Sequence, residues 1–287
     1  MSATPQSFPA IADLLKRQGI WLEKRRSQHF LRRQQICAEI AELGCLTRDH
    51  VVIEVGAGLG NLTVELSARA GHVISVEMDE TFAEWHEYLE SSYPSIKFVY
   101  KDFLLTTFDE LLEGETRRPV GVGNLPYQIT SEILFRFVNA ERTFDRLVFM
   151  VQKEVAERIA AGPGSRASGA LTYKIAMRYK AEIGLMVPAS EFLPPPKVDS
   201  AVLVLTPLPH ALFHSPEERL RVYTMFDRLF AYRRKTVANG LIMGQLVPDR
   251  AAAVAALQAA GIDEVRRPET LSIEESLALA RVLAERA

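Results

Sequence analysis

Cysteine is almost missing from this chain of 287 residues, which holds only Cys37 and Cys45. Both fall within one expected helix, and no Cys or His pair stands close enough to complete a zinc site. They read as reduced thiols, and no metal is expected. Long apolar runs are missing too: nothing approaches the ~20 residues of a membrane span. The opening MSATPQSFPAIADLLKRQGIW lacks the apolar stretch of a signal peptide, so the expected address is cytoplasmic, with no membrane partner. Glycine and proline show no excess, at 16 and 15, and neither internal repeats nor long low-complexity tracts occur. No charge dominates, the formal net value being −2. What remains is a composition that is 48% hydrophobic, enough for one large domain and a smaller one.

The small net charge conceals segregation. Residues 1–33 carry seven Lys/Arg against Asp13 and Glu23, residues 34–205 carry 16 basic and 24 acidic groups, and residues 206–287 carry 11 and 10. A second basic knot lies at Arg228, Arg233, Arg234 and Lys235. Polyanion binding depends on such local fields rather than on totals.

Short apolar runs alternate with amphipathic segments: VVIEV (51–55), HVISVE (72–77), IKFVY (96–100), PVGVG (119–123) and DRLVFMVQ (145–152), separated by helical patterns near 61–70, 80–91, 107–113 and 130–140. This is the pattern of an α/β fold, a parallel sheet with helices on both faces, in which ligands bind beyond the carboxyl ends of the strands. AGPGSRASG (161–169) reads as a mobile loop, and the sheet domain runs on through AEIGLMV and SAVLVLTP to about 206. Beyond it the pattern is helical only. The expected division is a basic segment at 1–33, a Rossmann-like domain at 34–206 and a helical domain at 207–287. Ser272 with Glu275 fits a capping box for the last helix, and Gly261 suits the end of the helix before it.

Chemistry gathers at the strand ends. EVGAGLGNLT places Gly56, Gly58 and Gly60 before a helix, where bare backbone lets a ligand come close; alone, such a turn is equally well structural. Glu77 closes the second strand and can accept from both hydroxyls of a ribose, while Asp102 after the third can accept from an adenine amine, with Phe103 against the ring. With Glu54, these acids should line a crevice that suits a cation better than a pyrophosphate. S-adenosylmethionine, a ribonucleoside with a sulfonium and no phosphate, is such a ligand.

The fourth strand ends in Asn124-Leu125-Pro126-Tyr127. The N6 amine of adenine is a poor nucleophile because its lone pair is delocalised into the ring. The Asn124 side-chain oxygen and the Leu125 carbonyl could accept both of its N–H bonds and turn the lone pair toward a methyl donor. Pro126 fixes φ and removes a competing donor. Tyr127 offers a face for an extruded base, and Phe192 is expected as the opposite wall.

These residues resemble the ribosomal RNA adenine N6-dimethyltransferases, nearest their small-subunit branch. The similarity extends over roughly residues 24–285, through SQHFL (27–31), EVGAGLGNLT, VEMD (76–79), KDF (101–103), NLPYQI (124–129), VQKEVAERI (151–159), LPPPKVDSAV (193–202), RRKT (233–236) and PETLSIEES (268–276). The resemblance implies a Rossmann-like S-adenosylmethionine-dependent fold with a small helical C-terminal domain that docks on the ribosomal particle. It implies that His29, Leu31, Gly56, Glu77, Asp102 and Asn124 contact the cofactor, alongside Gly58 of the glycine turn. It further implies that Asn124 to Tyr127, with Phe192, hold the target base. The substrate it implies is a pair of adjacent adenosines near the 3′ end of small-subunit ribosomal RNA, in the assembling subunit, and the enzyme is expected to be a monomer. Two features depart from the family pattern: Ser27 stands where a glycine is usual, and the pI is near 6.3. The RNA contact is accordingly expected from Arg25, Arg26, Arg233, Arg234 and Lys235, since only the contacting phosphates need neutralising. The rivals are a large-subunit adenine N6-methyltransferase of the macrolide-resistance type, a non-catalytic assembly factor and, more distantly, a nicotinamide dehydrogenase.

Overall fold

The computed structural model describes residues 8–17, 29–210 and 212–285. Arg25, Arg26 and Ser27 lie outside the described residues. The chain divides into two compact units. One takes the described residues up to Ala156 together with Glu182–Pro207, and the other takes Glu157–Ala181 and the residues from Leu208 onward. The division at 207 falls where the composition changes, but 157–181, expected in the sheet domain, belongs to the helical unit.

In the first unit the order is α1 (Ile11–Arg17), β1 (Phe30–Leu31), α2 (Gln34–Leu43), β2 (His50–Val55), α3 (Asn61–Ser67), β3 (His72–Glu77), α4 (Ala83–Ser92), β4 (Ile96–Tyr100), α5 (Phe108–Leu111), β5 (Arg118–Asn124), α6 (Thr130–Asn139) and β6 (Arg146–Gln152). α7 (Lys153–Ala160) follows and leads into the second unit, whose first complete element is α8 (Ala170–Ala176). The chain returns through β7 (Tyr179–Val187), β8 (Phe192–Leu193) and β9 (Ser200–Pro207), then finishes in α9 (Pro216–Ala231), α10 (Val237–Met243), α11 (Arg250–Ala259) and α12 (Ile273–Glu285). No helix among the described residues is long and apolar enough to cross a membrane.

The main sheet has seven strands in the order β4-β3-β2-β5-β6-β9-β7. β2 through β6 pair in parallel, as their alternation with helices predicts, whereas β9 runs antiparallel to β6. Because β2 lies between β3 and β5, the order reverses there and leaves a cleft beyond the carboxyl ends of β2 and β5. A separate two-stranded pair, β1 with β8, sets Phe30 opposite Leu193 and Leu31 opposite Phe192.

Residue alternation explains the layers. Val120 and Val122 of β5 join Val52, Val73 and Val148 under Ile36, Ile40, Leu62 and Leu66 of α2 and α3. On the opposite face, Gly121 leaves the backbone bare, and a Cβ there would stand 2.6 Å from the Phe137 ring of α6. Phe137 packs against Phe149 and Phe144 at centroid distances of 4.9 and 5.0 Å, and stacks on Phe103 at 5.4 Å. A continuous aromatic column therefore connects the core to the cleft.

The helical unit ends its helices as the sequence indicates. Glu275 N–H donates to Ser272 Oγ at 3.1 Å while Ser272 N–H donates to the Glu275 carboxylate at 2.7 Å, a reciprocal capping box. Gly261 follows α11 at φ +71°. Two expectations need correcting. Cys45 lies beyond α2, exposed and at φ +49°, while Cys37 is buried within that helix. The other concerns 161–169, which is not a bare linker: Ser168 is fully buried, and its Oγ donates to the Gly162 carbonyl at 2.6 Å and meets Ser165 Oγ at 2.9 Å.

Candidate active site

A crevice of about 580 Å³ opens at the point where the strand order reverses. That volume is within the range of small-molecule pockets and ample for a nucleoside. His29, Leu31, Gly56, Gly58, Glu77, Asp102, Asn124, Leu125, Pro126 and Tyr127 all line it. Ten positions chosen along a hundred residues of sequence thus converge on one cavity.

Its floor is the glycine turn after β2. Gly56, Gly58 and Gly60 have φ of +82°, +53° and +79°, a region costly for other residues. At Gly58 a Cβ would also stand 2.9 Å from the Phe30 ring. Two side chains hold the turn. Glu77 Oε2 accepts from Gly58 N–H at 2.8 Å, and Oε1 accepts from Met78 and Asp79 N–H, each at 2.9 Å. His86, 1% exposed, donates from Nε2 to the Gly58 carbonyl at 2.8 Å, so its Nδ1 accepts from Tyr100 Oη at 2.6 Å. Burial lowers the His86 pKa to about 4, keeping the ring neutral. Burial also raises the Glu77 pKa, and the three backbone donors oppose that rise. A carboxylate has about four lone-pair directions. Three serve the backbone, so Glu77 has room for one ribose hydroxyl, and a second would have to share an oxygen already in use.

Asp102 Oδ1 accepts from Leu104 N–H at 2.8 Å, which leaves Oδ2 for a ligand amine. Glu54, expected with these acids, is not in the crevice. It is fully buried between α3 and β3, where Oε2 accepts from Thr63 and Ser75 hydroxyls at 2.6 Å each, and Oε1 has no partner among the described residues. The crevice acids are Glu77, Asp79 and Asp102, with Lys101 the neighbouring cation.

Burial pushes the Glu54 carboxyl up to about 7 from its ordinary 4.5. Its protonated form therefore stabilises the fold fully below about pH 4.5, and that contribution is lost as pH rises through about 7. Replacing Glu54 by Gln should flatten the decline in melting temperature between about pH 5 and pH 8. Parallel wild-type and variant melting curves across that window check this, and identical slopes would show that Glu54 does not titrate there.

The reacting end is the β5 terminus. Asn124 contacts the His29 carbonyl at 2.9 Å, and because a carbonyl can only accept, the facing atom is Nδ2. That leaves Oδ1 as the other side of the amide, with no hydrogen-bond partner among the described residues. The Leu125 N–H donates to Met150 O at 3.0 Å, and the Leu125 carbonyl accepts no hydrogen bond among the described residues. Two acceptor oxygens thus remain on adjacent crevice residues. Pro126, at φ −59°, gives its own carbonyl to Ile129 N–H and Thr130 Oγ1, starting α6. The Tyr127 hydroxyl bonds Ser200 Oγ at 2.6 Å.

Phe192 does not form the opposite wall. It is 1% exposed, packed with Leu31, Val187 and Val202 in the core, because β8 pairs with β1 and turns its ring inward. The ring against Tyr127 is that of His29, at a centroid distance of 5.7 Å and an interplanar angle of 25°. His29 Nδ1 is 2.7 Å from the Pro194 carbonyl and so carries the proton. Asn61, whose Nδ2 donates to the Leu31 carbonyl at 3.0 Å, and Ser200 stand within EVGAGLGNLT and LPPPKVDSAV, but neither motif reveals which partner each meets, and nothing local marks His86 or the stacking of His29 on Tyr127. Arg233, Arg234 and Lys235 lie in the helical unit, in the turn between α9 and α10, with exposed side chains.

The crevice fits a cationic nucleoside: a bare glycine floor, a backbone-held carboxylate for a ribose, and a carboxylate beside an aromatic ring for an adenine. Similarity to known proteins points the same way. Ribosomal RNA small subunit methyltransferase A of Shouchella clausii is 39% identical, over 98% of this chain and 95% of its own. Its counterpart in Myxococcus xanthus is also 39% identical, over 94% of each chain. Among solved structures, the 23S rRNA methyltransferase ErmE covers 89% of this chain and 99% of its own, with a TM-score of 0.67 and 30% identity. A dimethyladenosine transferase from Plasmodium falciparum covers 88% and 96%, with a TM-score of 0.72 and 25% identity. A family model for ribosomal RNA adenine dimethylase matches residues 22–285, nearly the whole length, and the chain belongs to that family.

Proposed function

We propose that this enzyme dimethylates the N6 amines of two adjacent adenosines near the 3′ end of small-subunit ribosomal RNA, with S-adenosylmethionine as donor, during assembly of the subunit. The observation that carries the reading is a pair of acceptors without partners among the described residues, Asn124 Oδ1 and the Leu125 carbonyl, on neighbouring residues of the crevice. An adenine amine has two N–H bonds and a delocalised lone pair. Accepting both bonds from one side favours a pyramidal nitrogen whose lone pair is directed away from the ring.

When bound, S-adenosylmethionine supplies an electrophilic methyl group on a sulfonium centre. Glu77, Asp79 and Asp102 would hold it with negative charge, and the Gly56–Gly58 backbone lets it lie close. Tyr127 presents its ring to the extruded base. Extrusion costs a few kcal/mol in paired RNA and less in a loop, and stacking on one aromatic side chain returns ~1–3 kcal/mol. Asn124 is an amide and a poor base, so it orients the amine and polarises its N–H bonds, and the proton leaves to solvent.

The small-subunit assignment is supported by the relatives that match over nearly the entire chain, the helical unit included. Methyl incorporation into immature small and large subunits tests it. Labelling of the small subunit is expected, with mass spectrometry of its RNA 3′ region showing the dimethyl marks missing in cells that lack the protein. Labelling of the large subunit would favour the macrolide-resistance activity, and RNA binding without labelling would make the protein an assembly factor.

The helical unit is the proposed docking element, acting in a cytoplasmic monomer. Changing Arg233, Arg234 and Lys235 to Glu should weaken binding to small-subunit particles and make its salt dependence shallower, by ~0.7–0.9 in log–log slope for each phosphate no longer neutralised. A slope equal to that of the wild type would remove these residues from the interface.

A further inference from the structure

Ser200 is the first residue of β9, paired in register with Gln152, and it is fully buried. A buried hydroxyl must find a partner, and the partner of Ser200 Oγ is the Tyr127 hydroxyl at 2.6 Å. The two residues are 73 apart in sequence, so the bond joins a strand of the main sheet to the turn that carries the crevice ring. Tyr127 is carried by the short turn Tyr127–Ile129, and its ring, which also stacks against His29, turns about two side-chain torsions.

We propose that Ser200 is a positioning residue for the target base: its hydroxyl fixes the tilt of the Tyr127 ring, so that a purine stacked there presents its amine to Asn124 Oδ1 and the Leu125 carbonyl. This rests on the adenine-methylating reading above and adds to it a statement about how Tyr127 works. One hydrogen bond of the hydroxyl goes to Ser200, and the base is assigned to the ring rather than to the hydroxyl. The ring acts through its face, and the hydroxyl serves only to hold that face at one angle. Burial raises the Tyr127 pKa, which keeps the phenol protonated and the tether intact across neutral pH.

The test is a double-mutant cycle on the full-length enzyme, with immature small subunits as substrate. Ser200→Ala and Tyr127→Phe both remove the tether and both keep the ring. Each should lower kcat about 10-fold, the scale of one lost positioning hydrogen bond, with KM and cofactor Kd changed less than about 3-fold. The double variant should be no worse than either single one. Ser200→Thr, which keeps the hydroxyl, should recover most of the rate. Multiplying effects would overturn the proposal, since the phenol would then have a task of its own. So would a wild-type rate in Ser200→Ala, or a fall in cofactor affinity matching the fall in kcat. Wild-type enzyme run in parallel separates the two levels: if it does not label small subunits the functional reading fails, and if it labels them while the variants match it only the tether fails.

Discussion

Asn124→Ala is expected to lower the rate of methyl transfer by about two to three orders of magnitude, the usual loss when one preorganised polar group is removed from a reacting centre. Cofactor affinity should fall much less, because Gly56, Gly58, Glu77 and Asp102 remain in place around the crevice. Asn124→Asp is the sharper experiment. In size and shape the carboxylate is nearly identical to the amide, and in isolation it would be a better acceptor for an N–H bond. Here, however, one arm of the side chain stands 2.9 Å from the His29 carbonyl, and that position calls for a donor. A carboxylate oxygen placed there would face another acceptor with no proton between them. The side chain must then turn away or take up a proton, and either change disturbs the oxygen proposed to face the substrate amine. Asn124→Asp should therefore be nearly as inactive as Asn124→Ala at neutral pH, in single-turnover assays with saturating cofactor. Wild-type rates in the Asp variant would mean that the His29 carbonyl does not set the amide. Equal losses of rate and cofactor affinity in the Ala variant would mean that Asn124 mainly builds the cofactor pocket.

The residues that strand periodicity places correctly are those whose backbone position decides their role. Gly56, Gly58, Asp102 and the Asn124–Tyr127 run each stand at or just past the end of a strand of the main sheet, and parallel order alone brings strand ends together. Errors arise where the direction of a side chain matters. Glu54 is one residue short of the end of β2, and that step turns it into the layer between α3 and β3, where Thr63 and Ser75 hold it. Phe192 is misread for a related reason. Its Pro-rich surroundings suggest a loop wall, whereas pairing of β8 with β1 makes it a strand residue facing the core. Residues 157–181 contain helical and strand patterns like those around them, and nothing local reveals that Tyr173 will give its hydroxyl proton to the Leu271 carbonyl, 98 residues away. Contacts at such separation carry no local signature.

Glu77 should show the largest effect on cofactor binding. Its carboxylate closes three backbone N–H groups, those of Gly58, Met78 and Asp79, and these donors shape the floor and one wall of the crevice. Glu77→Ala removes the proposed ribose acceptor and leaves three donors without their partner. These N–H groups are exposed or part-buried, so the loss is that of the hydrogen bonds that hold the turn in shape, ~1.5–3 kcal/mol for one to a charged group. Even one such loss, added to the missing ribose contact, should weaken S-adenosylmethionine binding by about 100-fold or more by calorimetry. Glu77→Gln distinguishes charge from shape. Both oxygens of the native side chain face donors, so whichever arm receives the amide NH₂ sets donor against donor and must shift. The Gln variant should therefore lose most of the affinity despite its matching size. S-adenosylhomocysteine, which has no sulfonium charge, provides the complementary measurement. If the carboxylate acted mainly by attracting the cation, affinity for this neutral product would survive the Gln substitution. If the carboxylate acts by holding the glycine turn, both ligands should weaken in parallel, and parallel loss is the outcome its three hydrogen bonds predict.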